Sequence, residues 1–504
     1  MKRREILKNL ATLPVFGVFF LALQEKWDQK AERKKQVLEQ LGLSEDTGED
    51  RTAAVIKSPG DLIRLGIIGI GNRGEQLAQA LGYGHPDWIG RLKDKRIEDW
   101  LAQEDLQVAI TGVCDVFDQR AKRGVEISEC EIRPSRVKAK QFRNYREMLE
   151  SPEVDAVLIA TPDFHHAPIS IDAANAGKHI YCEKCMTRTE DEVFAVYEAV
   201  KKNKVVFQLG HQNHQSGAFE KAREVIRKNI LGKVTLIEST SNRNSPYGAW
   251  VRHRDQNGKL KPGSPDSIDW KEWLGKRPVV PFDLERYYNW TLWWDYATGL
   301  SGQLMSHELD TANQLLGLGF PDTCNASGGI YFYQDGREVP DIFQAVFEYK
   351  NKDLTFLYSA SLASNHDRGR LFMGHDATMR LGNDLEITID RESSRYRREI
   401  SDGLFDTGQP MLAFNPGSNR LDAITSASEK YYASRGLYYT YHRGRMVDTT
   451  HLHLMEFLNA IRNGTPVSVP IEKGVEVTIA CHMATKSYLE QRQVRWDGTR
   501  RKIV

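Results

Sequence analysis

The 504-residue chain reads as an α/β protein: an N-terminal Rossmann dinucleotide-binding domain, then an α+β domain with a large, open, mainly antiparallel sheet. Three observations predict this. Apolar Leu65–Ile68 runs directly into Gly69-Ile70-Gly71-Asn72-Arg73-Gly74 and a helical stretch to Leu81, the strand, glycine turn and helix order of a dinucleotide fingerprint. Short apolar strands then alternate with helical stretches as far as Leu209, which implies a mostly parallel sheet. Beyond residue 213 the texture changes to longer strand-like runs, as expected of antiparallel pairing.

The elements divide the chain into a signal or anchor segment (1–25), a linker or N-terminal arm (26–61), the dinucleotide domain (62–212) and a substrate and oligomerisation domain (213–504). At the start, Lys2-Arg3-Arg4-Glu5-Ile6-Leu7-Lys8 precedes the apolar run Ala11–Leu23. A basic start before such a run is an export signal pattern, and adjacent arginines resemble a twin-arginine signal. The run is short for a membrane span, and no small-x-small cleavage site follows Leu23. The expectation is a periplasmic protein, or one exported by a twin-arginine route, with the segment either cleaved or kept as a membrane tether. Lys26–Leu41 is helical in pattern, and the ordered core is expected from Leu62.

In the dinucleotide domain, the first glycine makes the turn, the second lets backbone approach the pyrophosphate, and the third lets helix and strand pack closely. The helix N-terminus, with Asn72 and Arg73, offers free N–H groups to the phosphates. After an insertion over 82–107, strand Val108–Cys114 ends at Asp115. An acid there binds the ribose hydroxyls of NAD. Arg73 and Arg120 leave NADP open. Helix Tyr145–Leu149 precedes strand Ala156–Ala160, helix Ile169–Ala176 is capped by Gly177, helix Glu190–Asn203 follows, and Val205–Leu209 closes the sheet. In the second half, Phe219–Asn229 is a helix, and strands are expected at Val234–Thr240, Ala345–Tyr349, Leu354–Ala360, Ala377–Leu381 and Leu385–Ile389. Residues 392–450 read as a surface excursion. Two helices finish the chain, the first with Leu454, Phe457, Leu458 and Ile461 on one face, the second from Gly474 to about Gln491.

The bulk properties narrow the function classes. A formal net charge of +1 provides no field to gather nucleic acid, and no long block of one sign occurs. Six scattered cysteines form no disulfide framework. The Cys182-x-x-Cys185 pair has no second pair to complete a zinc site, and His211, His214 and His307 lack tight ligand spacing, so no metal is expected.

The chemistry concentrates where strands end, because open α/β sheets bind ligands at their carboxyl ends. Strand Ala156–Ala160 leads into Thr161-Pro162-Asp163-Phe164-His165-His166, and Gly177-Lys-His-Ile-Tyr-Cys-Glu183-Lys184 ends the next strand. The polar loop Gly210-His211-Gln212-Asn213-His214-Gln215 follows the last strand of the domain and suits a polyhydroxylated substrate through His211 and Asn213. Asn242-Arg243-Asn244, with Trp250 and Arg252, forms a second polar and aromatic cluster. Tyr287, Tyr288, Trp290, Trp293, Trp294 and Tyr296 offer faces on which sugar C–H surfaces pack; Trp294 is the candidate contact. Aromatics are as often simple core.

With these motifs in this order, the chain resembles the Gfo/Idh/MocA oxidoreductases, named for glucose–fructose oxidoreductase and inositol dehydrogenase. The marks are Gly69–Gly74, Thr161-Pro162-Asp163 with His165-His166, Gly177–Lys184, and Gly299–Asp310 containing His307. The resemblance implies bound NAD or NADP, held by Gly69, Gly71, Asn72, Arg73, Gly74, Asp115, Thr161, Pro162, His165, Glu183 and Lys184. It implies a sugar or polyol substrate and a homo-oligomer formed through the open sheet. Its catalytic set is a Lys after Glu, then an Asp and a His four residues apart. Lys184 and His307 match, but the Asp position holds Gln303. Gln303 is expected to orient the His307 imidazole without neutralising its charge. The family usually has Pro after the lysine, often across a cis bond. Cys185 stands there, and a cis bond before a non-proline residue costs roughly 3 kcal/mol, so the Lys184 backbone is expected to sit differently.

In this reading His307 takes a proton from a substrate hydroxyl while Lys184 stabilises the developing alkoxide. Two alternatives stand beside NAD(P)-dependent oxidation of a sugar, polyol or glycoside. One is a redox-neutral glycoside hydrolase with permanently bound NAD. The other is a non-catalytic sugar-binding protein on a Rossmann scaffold.

Overall fold

The computed structural model describes residues 14–43, 62–92, 95–245, 250–255, 257–366, 368–416, 439–442 and 445–504. The twin-arginine stretch lies outside the described residues. So does part of the apparent excursion, from 417 to 438.

Six strands form the first sheet: β1 (Ile63–Ile68), β2 (Val108–Cys114), β3 (Lys140–Phe142), β4 (Ala156–Ile159), β5 (His179–Cys182) and β6 (Phe207–Leu209). Their order is β3-β2-β1-β4-β5-β6, and every pair is parallel. β1 and β4 are buried along almost their whole length, which explains why they read as continuous apolar runs rather than alternating ones. The order reverses between β1 and β4, so the crevice at their carboxyl ends is the place where such a sheet takes a ligand.

The second sheet has ten strands. β7 (Val234–Thr240), β8 (Thr323–Gly329), β9 (Ile342–Tyr349), β10 (Leu354–Ser361), β11 (Arg370–Gly374), β12 (Ala377–Leu381), β13 (Leu385–Ile389) and β14 (Leu412–Phe414) form most of it. A hairpin, β15 (Tyr439–His442) with β16 (Arg445–Asp448), stands apart, and β17 (Val494–Asp497) and β18 (Lys502–Ile503) complete the edge. The order is β14-β13-β12-β11-β7-β10-β9-β8-β17-β18. β7 and β10 pair in parallel, while the neighbours on either side run antiparallel. Strict alternation of buried and half-buried residues along β10 gives this sheet one packed and one open face.

Two packing features differ from the expected division at residue 212. The helix Thr449–Asn463 lies on the first sheet: Leu454, Phe457 and Leu458 share a core with Ile63, Leu65, Ile67 and Leu77. Across the opposite face of that sheet, Ile159, Ile180 and Leu209 belong to a core that continues through Ile479 and Met483 of the helix Ile471–Glu490 to Phe343 and Phe347 of the second sheet. Burial that continuous makes the cleft between the sheets a fixed part of the fold. The excursion also contributes structure, because β14 pairs with β13. The turn after β4 is tighter than expected: its helix begins at Asp163 rather than Ile169 and keeps Pro168 within it.

At the N-terminus, one helix runs from Pro14 to Gln40. Its end docks on the second domain: Leu38 and Leu43 are buried, Lys34 Nζ donates to Pro410 O at 3.3 Å, and Arg33 lies 3.6 Å from Asp402. Among the described residues no helix is long and apolar enough to cross a membrane.

Candidate active site

A cleft of about 570 Å³ runs along the carboxyl ends of β1, β4 and β5 and beneath the second domain. One end is built by the glycine turn. Gly69 has φ +90°, and a Cβ there would stand 2.8 Å from the Ala160 carbonyl oxygen; a Cβ on Gly74 would stand 2.0 Å from Gly69 O. Gly71 has open space instead, with only Arg120 Nη1 at 3.7 Å from the same ideal position. Two glycines are thus needed for packing, and the third leaves backbone open to a ligand. The helix Asn72–Ala80 starts there without a side-chain cap, so its first N–H groups face the cleft unfilled. Helix N-termini of this kind bind phosphate.

Asp115 lines the same end. Its Oδ2 accepts from Ile70 N at 2.6 Å and its Oδ1 from Phe117 N at 2.9 Å. The carboxylate therefore ties the glycine turn to the β2 loop while facing the cleft. Burial raises its pKa, against the opposing charge of Arg120. The second domain reaches over this end. Asp118 N donates to Ser267 O at 3.0 Å and Asp269 N to Val116 O at 2.8 Å. Arg120 Nη1 donates to the Tyr287 hydroxyl at 3.0 Å, and its guanidinium stands 5.2 and 5.4 Å from the Tyr287 and Tyr288 ring centres. Residues 264–290 thus form a strap across the mouth. The aromatic run divides: Tyr287, Tyr288 and Trp290 lie on the strap and line the cleft, while Tyr296 is fully buried and clusters with Phe164, Trp273 and Trp293.

At the reacting end, Lys184 Nζ donates to Gln303 O at 3.0 Å and to Gln303 Oε1 at 3.3 Å. Gln303 Nε2 in turn donates to Asp163 Oδ1 at 2.8 Å and Oδ2 at 2.6 Å. Asp163 also accepts from Thr298 N and Oγ1. The amide is therefore committed to Lys184 and Asp163, not to His307 as expected. Burial lowers the Lys184 pKa, and Asp163 and Glu183 oppose that effect. The Lys184–Cys185 peptide is cis, so the chain keeps at Cys185 the geometry that the missing proline had put in question. His166 bridges Cys185 O at 2.5 Å and Thr161 O at 2.8 Å, which fixes this turn against the β4 loop.

Gln303 lies in a single π-helical turn, Ser301–Met305, that runs straight into the helix Ser306–Leu316 carrying His307. Such turns are rare and cluster at functional sites. His307 lines the cleft; its Nδ1 is buried without a partner, which leaves Nε2 as the nitrogen open to a ligand. Burial, reinforced by His211 and Lys184, holds the imidazole well below its ordinary pKa. His307 is thus neutral near pH 7 and able to accept a proton. The His211 ring stands edge-on to it, 5.1 Å between centres. Behind them, Asp310 accepts from His214 Nε2 and lies 3.6 Å from His211 Nδ1. Burial works against the Asp310 charge, but the two imidazoles outweigh it and keep the carboxyl below its usual range. Among the described residues no group of three or more His, Cys, Asp or Glu is placed to hold a metal ion.

The cleft brings together Gly69, Gly71, Asn72, Arg73, Asp115, Thr161, Pro162, His165, Glu183, Lys184, Gln303, His307 and Arg243. Arg73 Nε donates to Glu183 Oε1 at 2.6 Å, so those two act first on each other. His165 donates from Nε2 to Trp273 O at 2.7 Å; burial lowers its pKa to about 4, and it supports the strap. Other residues stand away from the cleft. Asn242 is consumed in structure, its amide bridging Ser361 N and His366 O. Trp294 packs near Tyr488, 6.3 Å between ring centres, and its carbonyl accepts from Arg188. His211 and Asn213 lie behind the lining, whereas Gln212 between them faces the cleft. Lys261 and Trp290 line it too. Nothing in the local sequence marks Lys261, because only the strap's fold carries it there.

The cleft fits a dinucleotide on this geometry: an open glycine, free helix N–H groups, an acid at the end of β2, and a buried, unpartnered Thr161 hydroxyl on the β4 loop. Comparisons with known proteins agree. Solved structures with the same fold include the WlbA dehydrogenase from Bordetella pertussis in complex with NADH and UDP-GlcNAcA (TM-score 0.57, 14% identity, 87% of this chain and 99% of that one). A levoglucosan dehydrogenase in complex with NADH and levoglucosan is equally similar (TM-score 0.57, 17% identity, 86% and 99%). Among curated relatives, the levoglucosan dehydrogenase of Pseudarthrobacter phenanthrenivorans is 36% identical over 97 residues, 19% of this chain and 25% of that protein. The myo-inositol 2-dehydrogenase of Thermotoga maritima is 27% identical over 186 residues, 36% and 46%. The matches span less than half the length of these curated relatives. Residues 63–211 match the oxidoreductase family's NAD-binding Rossmann fold, and residues 276–495 match its C-terminal alpha/beta domain. Fold, cleft and both family matches agree that the chain belongs to the Gfo/Idh/MocA family of NAD-binding oxidoreductases.

Proposed function

We propose that the protein oxidises a hydroxyl of a sugar, polyol or glycoside with NAD. The observation that carries this reading is that Lys184 and His307 line one cleft with the glycine turn and Asp115. Bound NAD supplies the hydride acceptor. Gly71, the N–H groups of Asn72 and Arg73, Asp115 and Thr161 are the residues that would hold it. Lys184 Nζ, freed from Gln303 Oε1, donates to the substrate oxygen and stabilises the alkoxide that develops there. His307 Nε2 removes the hydroxyl proton, a task for which a neutral imidazole is ready. Asp163 keeps Gln303 aimed at Lys184 throughout. The names of the relatives, dehydrogenases of levoglucosan and inositol, support the substrate class.

A second reading, redox-neutral glycoside cleavage with retained NAD, is favoured by the strap. With residues 264–290 hydrogen-bonded to the β2 loop, release of a bound dinucleotide requires those contacts to open. Export through the N-terminal basic and apolar segment belongs to the same proposal, since a retained cofactor suits a compartment without free NAD.

One experiment separates these readings. The purified protein is offered a panel of sugars, polyols and glycosides, and the reduced-nicotinamide absorbance and sugar release are followed together. Net reduction in step with substrate loss is the expected result. Cleavage without net reduction would replace it with the hydrolase reading, and neither signal across the panel would overturn both.

A further inference from the structure

We propose that the substrate carries an anionic substituent, bound by the guanidinium groups of Arg243 and Arg252 in the cleft that Lys184 lines. This deepens the proposed oxidation and rests on it for the identity of the reacting cleft. Both arginines line that cleft, and both stand on pinned backbone. Arg243 N donates to Ser361 O at 2.8 Å, and the adjoining Asn242 amide ties the same segment to Ser361 and His366. Arg252 N donates to Oδ1 of the fully buried Asn289 at 2.6 Å. Among the described residues, however, neither guanidinium has a hydrogen-bond acceptor or a carboxylate partner. Both side chains are half-buried, and a cation drawn part-way out of water gains from an anionic partner.

The carboxylates of the cleft are already committed. Glu183 serves Arg73, Asp163 serves Gln303 and Thr298, Asp115 serves two backbone N–H groups, and Glu272 serves Asn144 at 3.1 Å. The uncompensated charge is visible at Arg252, whose pKa falls to about 10 through burial and the nearby Arg243. Arg243 also bears on Lys184 and His307, which places it at the reacting end. Arg73 bears on His307 as well, but its charge is matched by Glu183. Proton transfer to His307 adds one more positive charge at the reacting end, and an anion on the substrate would offset it. Two guanidinium forks match a carboxylate, a sulfate ester or a phosphate ester, each of which offers several acceptor oxygens.

The test is binding to the NAD-loaded protein by calorimetry. The probes are D-glucuronate, D-glucose 6-sulfate, D-glucose 6-phosphate and, as neutral references, D-glucose and methyl D-glucuronate. At least one anionic probe is expected to bind tenfold or more tightly than its neutral reference, with affinity falling as salt rises, and the preferred probe identifies the substituent. R243Q and R252Q are expected to abolish that preference while NAD affinity stays within about twofold. Equal binding of anionic and neutral probes by the unmodified protein would overturn the proposal, whatever the variants do. So would variants that weaken NAD binding and leave the sugar preference intact, since the arginines would then belong to the cofactor. Anion-selective binding without any sugar oxidation would sink the proposed reaction and keep this site. Sugar oxidation without anion preference would do the reverse.

Discussion

Gln303 occupies the position where the family resemblance calls for an acid, and the structure supplies a carboxylate from elsewhere. Asp163, at the start of the helix after β4, reaches Lys184 through the Gln303 amide. This arrangement makes separable predictions. Lys184→Ala and His307→Ala should each lower kcat/KM by roughly 10²- to 10⁴-fold, measured by reduced-nicotinamide absorbance on the preferred substrate; near-normal rates would remove these residues from the mechanism. Because burial holds His307 below the ordinary imidazole value of 6.5, the acid limb of the kcat/KM profile should lie below pH 6.5. Lys184 is likewise held below 10.5, so the alkaline limb should lie below that pH. Asp163 raises the Lys184 pKa; Asp163→Asn should therefore move the alkaline limb to lower pH and leave the acid limb in place. A unchanged alkaline limb would reduce Asp163 to a purely structural part. The reacting residues were legible because Glu183-Lys184 and His307 sit in spaced motifs. The Asp163 to Gln303 link was not, since it joins residues 140 positions apart and no local pattern encodes it.

At the scale of elements, the same contrast holds. Strands with strict alternation or continuous apolar runs, such as β7, β12 and β13, were readable to the residue. β8, with the sequence TCNASGG, carries almost no apolar signal; it is a strand because β9 and β17 pair with it on either side. Tertiary context overrides weak propensity in this way. The strap was equally hidden. Its aromatic residues suggested a sugar platform, but only the pairing of 264–269 with the β2 loop turns them into a cover for the cleft mouth. Removing the Arg120 stack with Tyr287→Ala should accelerate NAD release severalfold, read by displacement of bound NAD in stopped flow, while Lys184-dependent chemistry persists. An unchanged release rate would mean that the strap does not gate the cofactor.

The whole molecule carries several neutral histidines in its core. Burial lowers His165 and His211 to about 4 and His482 to about 3, against 6.5 when unfolded. The unfolded chain therefore binds more protons below pH 6.5, and stability falls as pH drops from 6.5 toward 4. Each such group can withdraw up to about 3 kcal/mol. Melting temperature should decline over this range, and His482→Asn, which removes one titrating site, should flatten the decline; an equally steep profile in the variant would contradict the assignment. The open face of the second sheet, with Val346 exposed, is where we propose that copies of the chain associate. The order of the domains and the class of each sheet could be read in advance because periodicity is local. The docking of the helix Thr449–Asn463 on the first sheet could not, because partners such as Leu65 on β1 lie nearly 400 residues upstream.

The central claim is that Lys184 and His307 act on a substrate hydroxyl in the cleft that holds NAD. The most direct measurement is a single turnover of NAD-loaded protein against its best-bound sugar, following reduced-nicotinamide absorbance in the unmodified protein and in Lys184→Ala. The account predicts a rapid rise, sustained or transient, in the unmodified protein and its loss in the variant with NAD still bound. An equal rise in both would contradict it.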